Sequence, residues 1–213
     1  MRTLIFANGE ITDYSFCNKY INKECKVIAV DGGIRHTYNL KIIPDLIVGD
    51  FDSCDKNILE YYREKNIEIL PFPSEKNETD SELAINYAKN KFNANELILF
   101  GTIGSRIDHT LANCHLLLYT LKNNINTIMV NENNEIRLIN KKTIIKGNIG
   151  DLLSLIPLSE KVTGITLKGL KYPLDNAEIP LESPIGISNV FITDTAEIDL
   201  KTGYLYVIKS KDI

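Results

Sequence analysis

Short apolar runs that stop at glycine and aspartate organise the first part of the chain. Residues 27–30 and 46–48 are two such runs, the first ending at Asp31-Gly32-Gly33 and the second at Gly49-Asp50-Phe51-Asp52-Ser53. Aliphatic runs of this length, bounded by turn residues, predict buried strands. Read as parallel neighbours with residues 34–40 crossing between them, they open both clusters at one carboxyl edge, the edge where open α/β sheets bind ligands. Asp, Gly and Ser also mark ordinary turns and helix caps, so the pattern gains weight only because two adjacent strands end the same way.

The same reading extends in both directions. Residues 3–7 predict a first strand that ends at Asn8-Gly9, and residues 13–23 carry only weak helical periodicity. Pro44 stops the crossing segment and releases the strand at 46–48. Ser53 is placed to cap a helix whose apolar face is Ile58, Leu59, Tyr61 and Tyr62, followed by a strand at 67–70 that Pro71 and Pro73 close. Thr79-Asp80-Ser81-Glu82 fits a capping box, with Leu83, Ala84, Tyr87 and Ala88 as the buried stripe of a helix starting near Asp80. A strand at 97–100 ends at Gly101-Thr102-Ile103-Gly104-Ser105-Arg106, and Asp108 or Thr110 is the expected cap of a helix over 109–121. That helix is apolar around most of its circumference, which predicts burial between layers or against a partner.

Alternation of strand and helix stops near Lys122. Beyond it the pattern is one of short strands and turns, at 127–130, 135–139, 143–145, 152–156, 162–167, 190–193, 197–200 and 204–208. The expected organisation is an α/β domain over 1–138, its sheet mostly parallel, followed by a small all-β domain over 139–213.

A net charge of −4 and a pI near 5.5 argue against a nucleic-acid or anionic-membrane partner. The first apolar run is too short for a signal-peptide core and no run approaches a membrane span, so a cytoplasmic location is expected. Cys17, Cys25, Cys54 and Cys114 show neither CxxC pairing nor zinc spacing and read as reduced structural thiols.

What the strand ends and helix starts collect is mostly acid: Asn8, Asp31, Asp50, Asp52, Asp80, Arg106 and Asp108. On an extended chain Asp50 and Asp52 aim both carboxylates to one side, with Cα atoms roughly 6–7 Å apart. Carboxylates gathered in one cleft repel each other unless a cation neutralises them, and magnesium (Mg2+), with its preference for oxygen ligands and substrate phosphates, is the natural one. The glycines of Asp31-Gly32-Gly33 and of 101–104 would let backbone amides approach phosphate or ribose oxygens, with Lys76 and Arg106 adding charge. No P-loop, GxGxxG fingerprint or protein-kinase signature is present. His109 and His115, six residues apart, fall on nearly opposite helix faces and do not suit a shared metal; His115 reads as a core or interface residue, and His109 stays open as a ligand contact.

In order, the blocks DGGIRHTYNLKIIPDLIVGDFDS, EKNETDSELAINYA, GTIGSRIDHTLAN, LKGLKYPL and GISN resemble the thiamine pyrophosphokinase family over nearly the whole chain. The resemblance implies a Rossmann-like N-terminal α/β domain that binds ATP and metal, and a C-terminal β-sandwich that binds thiamine. It also implies a homodimer, and transfer of a diphosphoryl group from ATP to thiamine, giving thiamine diphosphate and AMP. It places magnesium on Asp50, Asp52 and Asp80, and catalysis on Asp52, Asp80 and Asp108. Asp31, Gly32, Gly33, Lys76, Thr79, Gly101, Thr102, Gly104 and Arg106 would contact the nucleotide, and Ser188 and Asn189 would lie near thiamine.

Two departures touch substrate contacts. The loop before Thr79-Asp80 carries Glu75 and Asn77 where the family often has aspartates, and Val190 stands where a glutamate commonly follows Ser-Asn. A pyrophosphokinase for another alcohol, such as a hydroxymethyl-pterin, or a sensor that binds without turnover, would use much of the same acid set. The resemblance implies a dimer whose thiamine cleft joins the α/β domain of one subunit to the β domain of the other, so each active site is expected to be shared.

Overall fold

The computed structural model describes residues 1–52, 54–73 and 78–211. It divides into two compact units, Met1–Glu132 and Asn133–Ile213.

In the first unit, strand and helix alternate as β1 (Arg2–Phe6), β2 (Lys26–Val30), α1 (Ile34–Asn39), β3 (Leu46–Gly49), α2 (Lys56–Glu64), β4 (Ile69–Pro71), α3 (Asp80–Phe92), β5 (Glu96–Phe100), α4 (Ile107–Lys122) and β6 (Asn126–Val130). All the strand pairs are parallel, in the spatial order β6-β5-β1-β2-β3-β4. Strands β1, β2, β3, β5 and β6 are buried along almost their whole length, the continuous pattern expected where both sheet faces are covered, and the edge strand β4 is only partly covered. Alternation sorts their side chains to opposite faces: Leu4, Phe6, Val27, Ile98 and Phe100 share one cluster, packed with Tyr14, Phe16 and Tyr20. Helix α3 packs across β1, β2 and β3, burying Ala84, Ile85 and Ala88. Pro71 is part of β4 and not its terminator, which is tolerated because β4 is the edge strand.

The order in which successive strands are laid down reverses at the middle of this sheet. The connection leaving β1 runs to β2 on one side, whereas that leaving β5 runs to β6 on the other, so a crevice opens beyond the carboxyl ends of β1 and β5.

Several local expectations change. Residues 13–23 form a short 3-10 turn, Ser15–Lys19. Asp55 caps α2, accepting from the Asn57 and Ile58 amides; Ser53, the expected cap, lies outside the described residues. Thr79 caps α3 through the Glu82 amide, as expected. Neither Asp108 nor Thr110 caps α4, which begins earlier than expected, after Arg106. Nor is α4 enclosed within the chain: it buries Leu117 and Thr120 while Ile107 and Leu111 stand 65% and 56% exposed.

The second unit is antiparallel, built from β7 (Asn134–Ile139), β8 (Thr143–Lys146), β9 (Leu152–Pro157), β10 (Lys161–Lys168), β11 (Ala177–Pro180), β12 (Asn189–Val190), β13 (Thr195–Asp199) and β14 (Leu205–Ser210). Strands β12-β9-β14-β7 pair in one set and β11-β10-β13-β8 in another. Both contribute to one apolar core that includes Leu153, Leu155, Ile165, Ile179, Ile198 and Val207. The division at Glu132 keeps β7 whole in this unit, where a boundary after 138 would cut it, because β7 pairs along its length with β14. Strand β11 is absent from the sequence reading, being short and ending on Pro180, and the run at 190–193 shrinks to β12.

The Phe100 ring stacks on Phe6 at 4.5 Å and receives the edge of Tyr20 at 5.7 Å. Phe100→Ala leaves a cavity at the centre of this cluster and is expected to cost about 3–5 kcal/mol, read as a lower urea midpoint with an unchanged slope. A loss below about 1 kcal/mol would show that the aromatic cluster collapses around the gap.

Candidate functional site

The crevice is shaped by backbone before any side chain enters. The Ala7 amide donates to the Phe100 carbonyl and the Gly9 amide to the Gly101 carbonyl, both at 2.9 Å, so the turns after β1 and β5 lie flat against one another. Gly101 has φ 65 and its Cα faces the Ala7 carbonyl, so any side chain there would be strained and would collide. Beyond these turns lies a cavity of about 760 Å³.

Its walls gather residues from separate stretches of sequence. Asp31, Thr79, Asp80, Gly101, Thr102, Gly104, Arg106 and Asp108 all line it, together with Asn8, Arg35 and His109. Gly32 and Gly33 lie behind the wall, Lys76 is outside the described residues, and Asp50 and Asp52 stand off the lining. His115 is exposed on α4 and away from the cavity.

Asp31 is the centre of the acid group. It follows β2 with φ 47, a left-handed conformation that aspartate tolerates better than most residues. Burial is the main cause that pushes its pKa well above the usual carboxylate range, and a hydrogen bond with Asp80 and the charges of Asp80 and Asp50 add to it. The Phe51 amide, donating at 3.4 Å, opposes the shift.

Asp50 and Asp52 are not on an extended chain. Phe51 between them has φ 64, and the Asp52 amide turns back to donate to Asp50 Oδ1 at 3.1 Å. The two-residue spacing therefore makes a turn and not a pair of parallel carboxylates, with the intervening amide facing Asp31. Among the described residues no three His, Cys, Asp or Glu side chains form a group arranged to hold a metal ion.

At the other wall, Arg106 Nη2 meets Asp108 Oδ2 at 2.6 Å, both side chains largely exposed. The hydrogen bond from Arg106 is the largest cause holding Asp108 down at about 2, so this carboxyl is ionised at neutral pH. Thr110 Oγ1 accepts from the Gly104 amide at 3.2 Å, and Asn113 donates to the Thr102 carbonyl at 3.0 Å. The first turns of α4 thus brace the 101–106 loop.

Two residues of the first unit carry more of the site than their sequence suggests. Arg35 bonds the turns after β1 and β2, and His36, 1% exposed, sits beneath them. His36 Nε2 contacts the Gly9 carbonyl at 2.7 Å and must carry the hydrogen, which leaves Nδ1 to accept from the Tyr14 hydroxyl at 2.8 Å. In the second unit Ser188 is exposed with φ 55, whereas Asn189 is 4% exposed and its side-chain amide is engaged with the backbone of Tyr172 and Val190. Asn189 holds the loop that presents Ser188.

A parallel sheet with a crevice where its strand order reverses, glycine turns on its floor and acids at its rim defines an α/β ligand-binding unit of the phosphate-handling kind. Residues 17–129 match the family model described as the thiamin pyrophosphokinase catalytic domain, and residues 138–205 match that of its vitamin B1 binding domain. The chain is 34% identical over 195 residues to a thiamine pyrophosphokinase of Bacillus subtilis, covering 91% of both chains. The crystal structure of a Bacillus subtilis thiamine pyrophosphokinase superposes with a TM-score of 0.91 at 30% identity and full coverage of both chains. That of Geobacillus thermodenitrificans superposes at 0.87 with 28% identity, covering 100% of this chain and 98% of the other. The chain belongs to the thiamine pyrophosphokinase family.

Burial, with the neighbouring Arg35 charge, lowers the His36 pKa to about 4. The unfolded chain, with histidine near 6.5, therefore binds the proton first as pH falls, and stability is lost below pH 6.5 and unaffected above it. Against His36→Gln, which removes this titration, the wild type should lose about 2 kcal/mol between pH 7 and pH 5 in urea unfolding. Equal losses in both proteins would show that His36 is protonated in the fold.

Proposed function

We propose that this chain transfers the diphosphoryl group of ATP to thiamine. The thiamine hydroxyl oxygen bonds to the β-phosphorus, the bond from that phosphorus to the α-phosphate oxygen breaks, AMP leaves, and the hydroxyl proton is released. The observation that carries this reading is the convergence on one cavity of Asp31, Asp80, Gly101, Arg106 and Asp108, drawn from separate sequence blocks of a chain whose family is named for that reaction. A pterin alcohol is the weaker alternative, because residues 138–205 match a vitamin B1 binding domain. A sensor without turnover has no use for crowded carboxylates. The reading takes the first unit as a Rossmann-like ATP-binding domain and the second as a thiamine-binding β-sandwich, and it keeps the reaction in the cytoplasm. Among the described residues no helix is long and apolar enough to cross a membrane.

The donor chemistry fits magnesium: Asp31, Asp50 and Asp80 offer only oxygen, and burial, with the charges of Asp80 and Asp50 beside it, raises the Asp31 pKa. Asp50, Asp52 and Asp80 would hold the ion, which supplies charge neutralisation for phosphate oxygens. Arg106 supports negative charge from the opposite wall. Asp108, tied to Arg106, is a weak proton acceptor and serves to orient that guanidinium. This leaves Asp52 to receive or direct the hydroxyl proton. Phosphoryl transfer asks the protein chiefly for alignment and charge stabilisation, which these residues supply.

Incubation with ATP, magnesium and thiamine should yield AMP in step with thiamine diphosphate. ADP with thiamine monophosphate would place attack at the γ-phosphorus and refute the reading. Asp50→Asn, Asp52→Asn and Asp80→Asn should each lower turnover about a hundredfold or more while the protein stays folded.

We further read the enzyme as a homodimer with shared sites, a reading supported by the apolar face that α4 leaves open at Ile107 and Leu111. Asp52→Asn and Ser188→Ala subunits, each inactive alone, should restore about a quarter of wild-type activity when mixed, since about half of the dimers are mixed and each rebuilds one intact cleft. Verified mixed dimers without activity would place each site within a single subunit.

A further inference from the structure

We propose that Arg35 is a positioning residue that preforms the phosphate-binding wall of the cavity. Its Nη2 donates to the Asn8 carbonyl at 2.6 Å and to the Gly9 carbonyl at 3.1 Å. Its Nη1 donates to the Asn8 side-chain oxygen and, at 3.2 Å, to the Gly32 carbonyl. One planar group thus ties the turn after β1 to the turn after β2. The fit is close: a side chain on Gly32 would collide with the Asn8 amide and come within 2.9 Å of Arg35 Nη1.

Every one of these acceptors is neutral, so the bonds fix the guanidinium without cancelling its charge. Arg35 lines the cavity with Asn8, Gly9 and Asp31, and so brings a standing positive charge to a wall otherwise supplied with carbonyls and acid. The Gly9 segment is held from three directions: its amide on Gly101, its carbonyl on Arg35, and the same carbonyl on the buried His36. Without Arg35 the Asn8-Gly9 turn loses its link to the β2 turn and must order when an anionic ligand arrives, which weakens binding. Lysine cannot substitute, because a single ammonium on a flexible stem does not span acceptors that the arginine fork meets together.

The inference rests on the proposed reaction only for the identity of the ligand, a nucleoside triphosphate. The test is calorimetric binding of α,β-methylene-ATP with magnesium to the wild type, Arg35→Gln and Arg35→Lys, alongside KM, kcat and thermal melting. Both variants should bind the analogue about tenfold or more weakly. KM for ATP should rise in parallel, while KM for thiamine and the melting temperature change little. Arg35→Lys keeps the charge and most of the bulk, and its result stands if Arg35→Gln does not fold. Wild-type affinity in the lysine variant would show that charge alone matters and overturn the positioning role; so would wild-type affinity in both. Loss of melting temperature with unchanged affinity would reduce Arg35 to a structural residue. Tight analogue binding by the wild type without formation of thiamine diphosphate would refute the proposed reaction and leave the role of Arg35 intact. No binding by the wild type would refute both.

Discussion

The constraint on which the first unit depends is the close meeting of the turns after β1 and β5. Neighbouring parallel strands whose connections leave in opposite directions must part at their carboxyl ends, and what fills the gap decides what the sheet can bind. Here the gap is floored by main chain, the Ala7 and Gly9 amides resting on the Phe100 and Gly101 carbonyls. A floor without side chains leaves room for a ligand of nucleotide size. Its shape is secured from below by the stacked Phe6 and Phe100 rings and from the side by Arg35 and His36.

Electrostatics divides the cavity into two unlike walls. On one, burial and proximity oppose ionisation of Asp31, so the folded protein holds carboxylates that would be better separated. On the other, Asp108 is already matched by Arg106 and is exposed to water. The first wall is the one that gains from a cation. The second is already neutral as a pair and suits recognition more than charge compensation.

Much of this arrangement is readable along the chain, because position in a parallel sheet follows from a few apolar residues and their stops. Asp31, Gly101 and Arg106 can be assigned to one edge since each follows such a stop, and Thr79 announces a helix start through its side-chain oxygen. What escapes is conformation set by partners distant in sequence. The left-handed Phe51 turns its amide to the Asp31 carboxylate, and no spacing rule applied to Asp50 and Asp52 contains that contact. Arg35 escapes for a related reason: its partners include main-chain carbonyls, which every residue possesses. The apolarity of α4 is visible, but the pattern of a helix does not say what covers it, and within this chain Leu111 stays open.

The backbone at Asp31 bears on how this position can vary. A residue held at φ 47 is chosen first for tolerating that conformation and only then for its charge. Glutamate would keep the charge and lose the tolerance, alanine would lose both, and glycine would keep the conformation with no oxygen at all. Asparagine alone separates the two demands, since it accepts the left-handed region and differs from aspartate by the charge. The position is therefore bound by two independent requirements, and drift through chemically similar acids is closed to it.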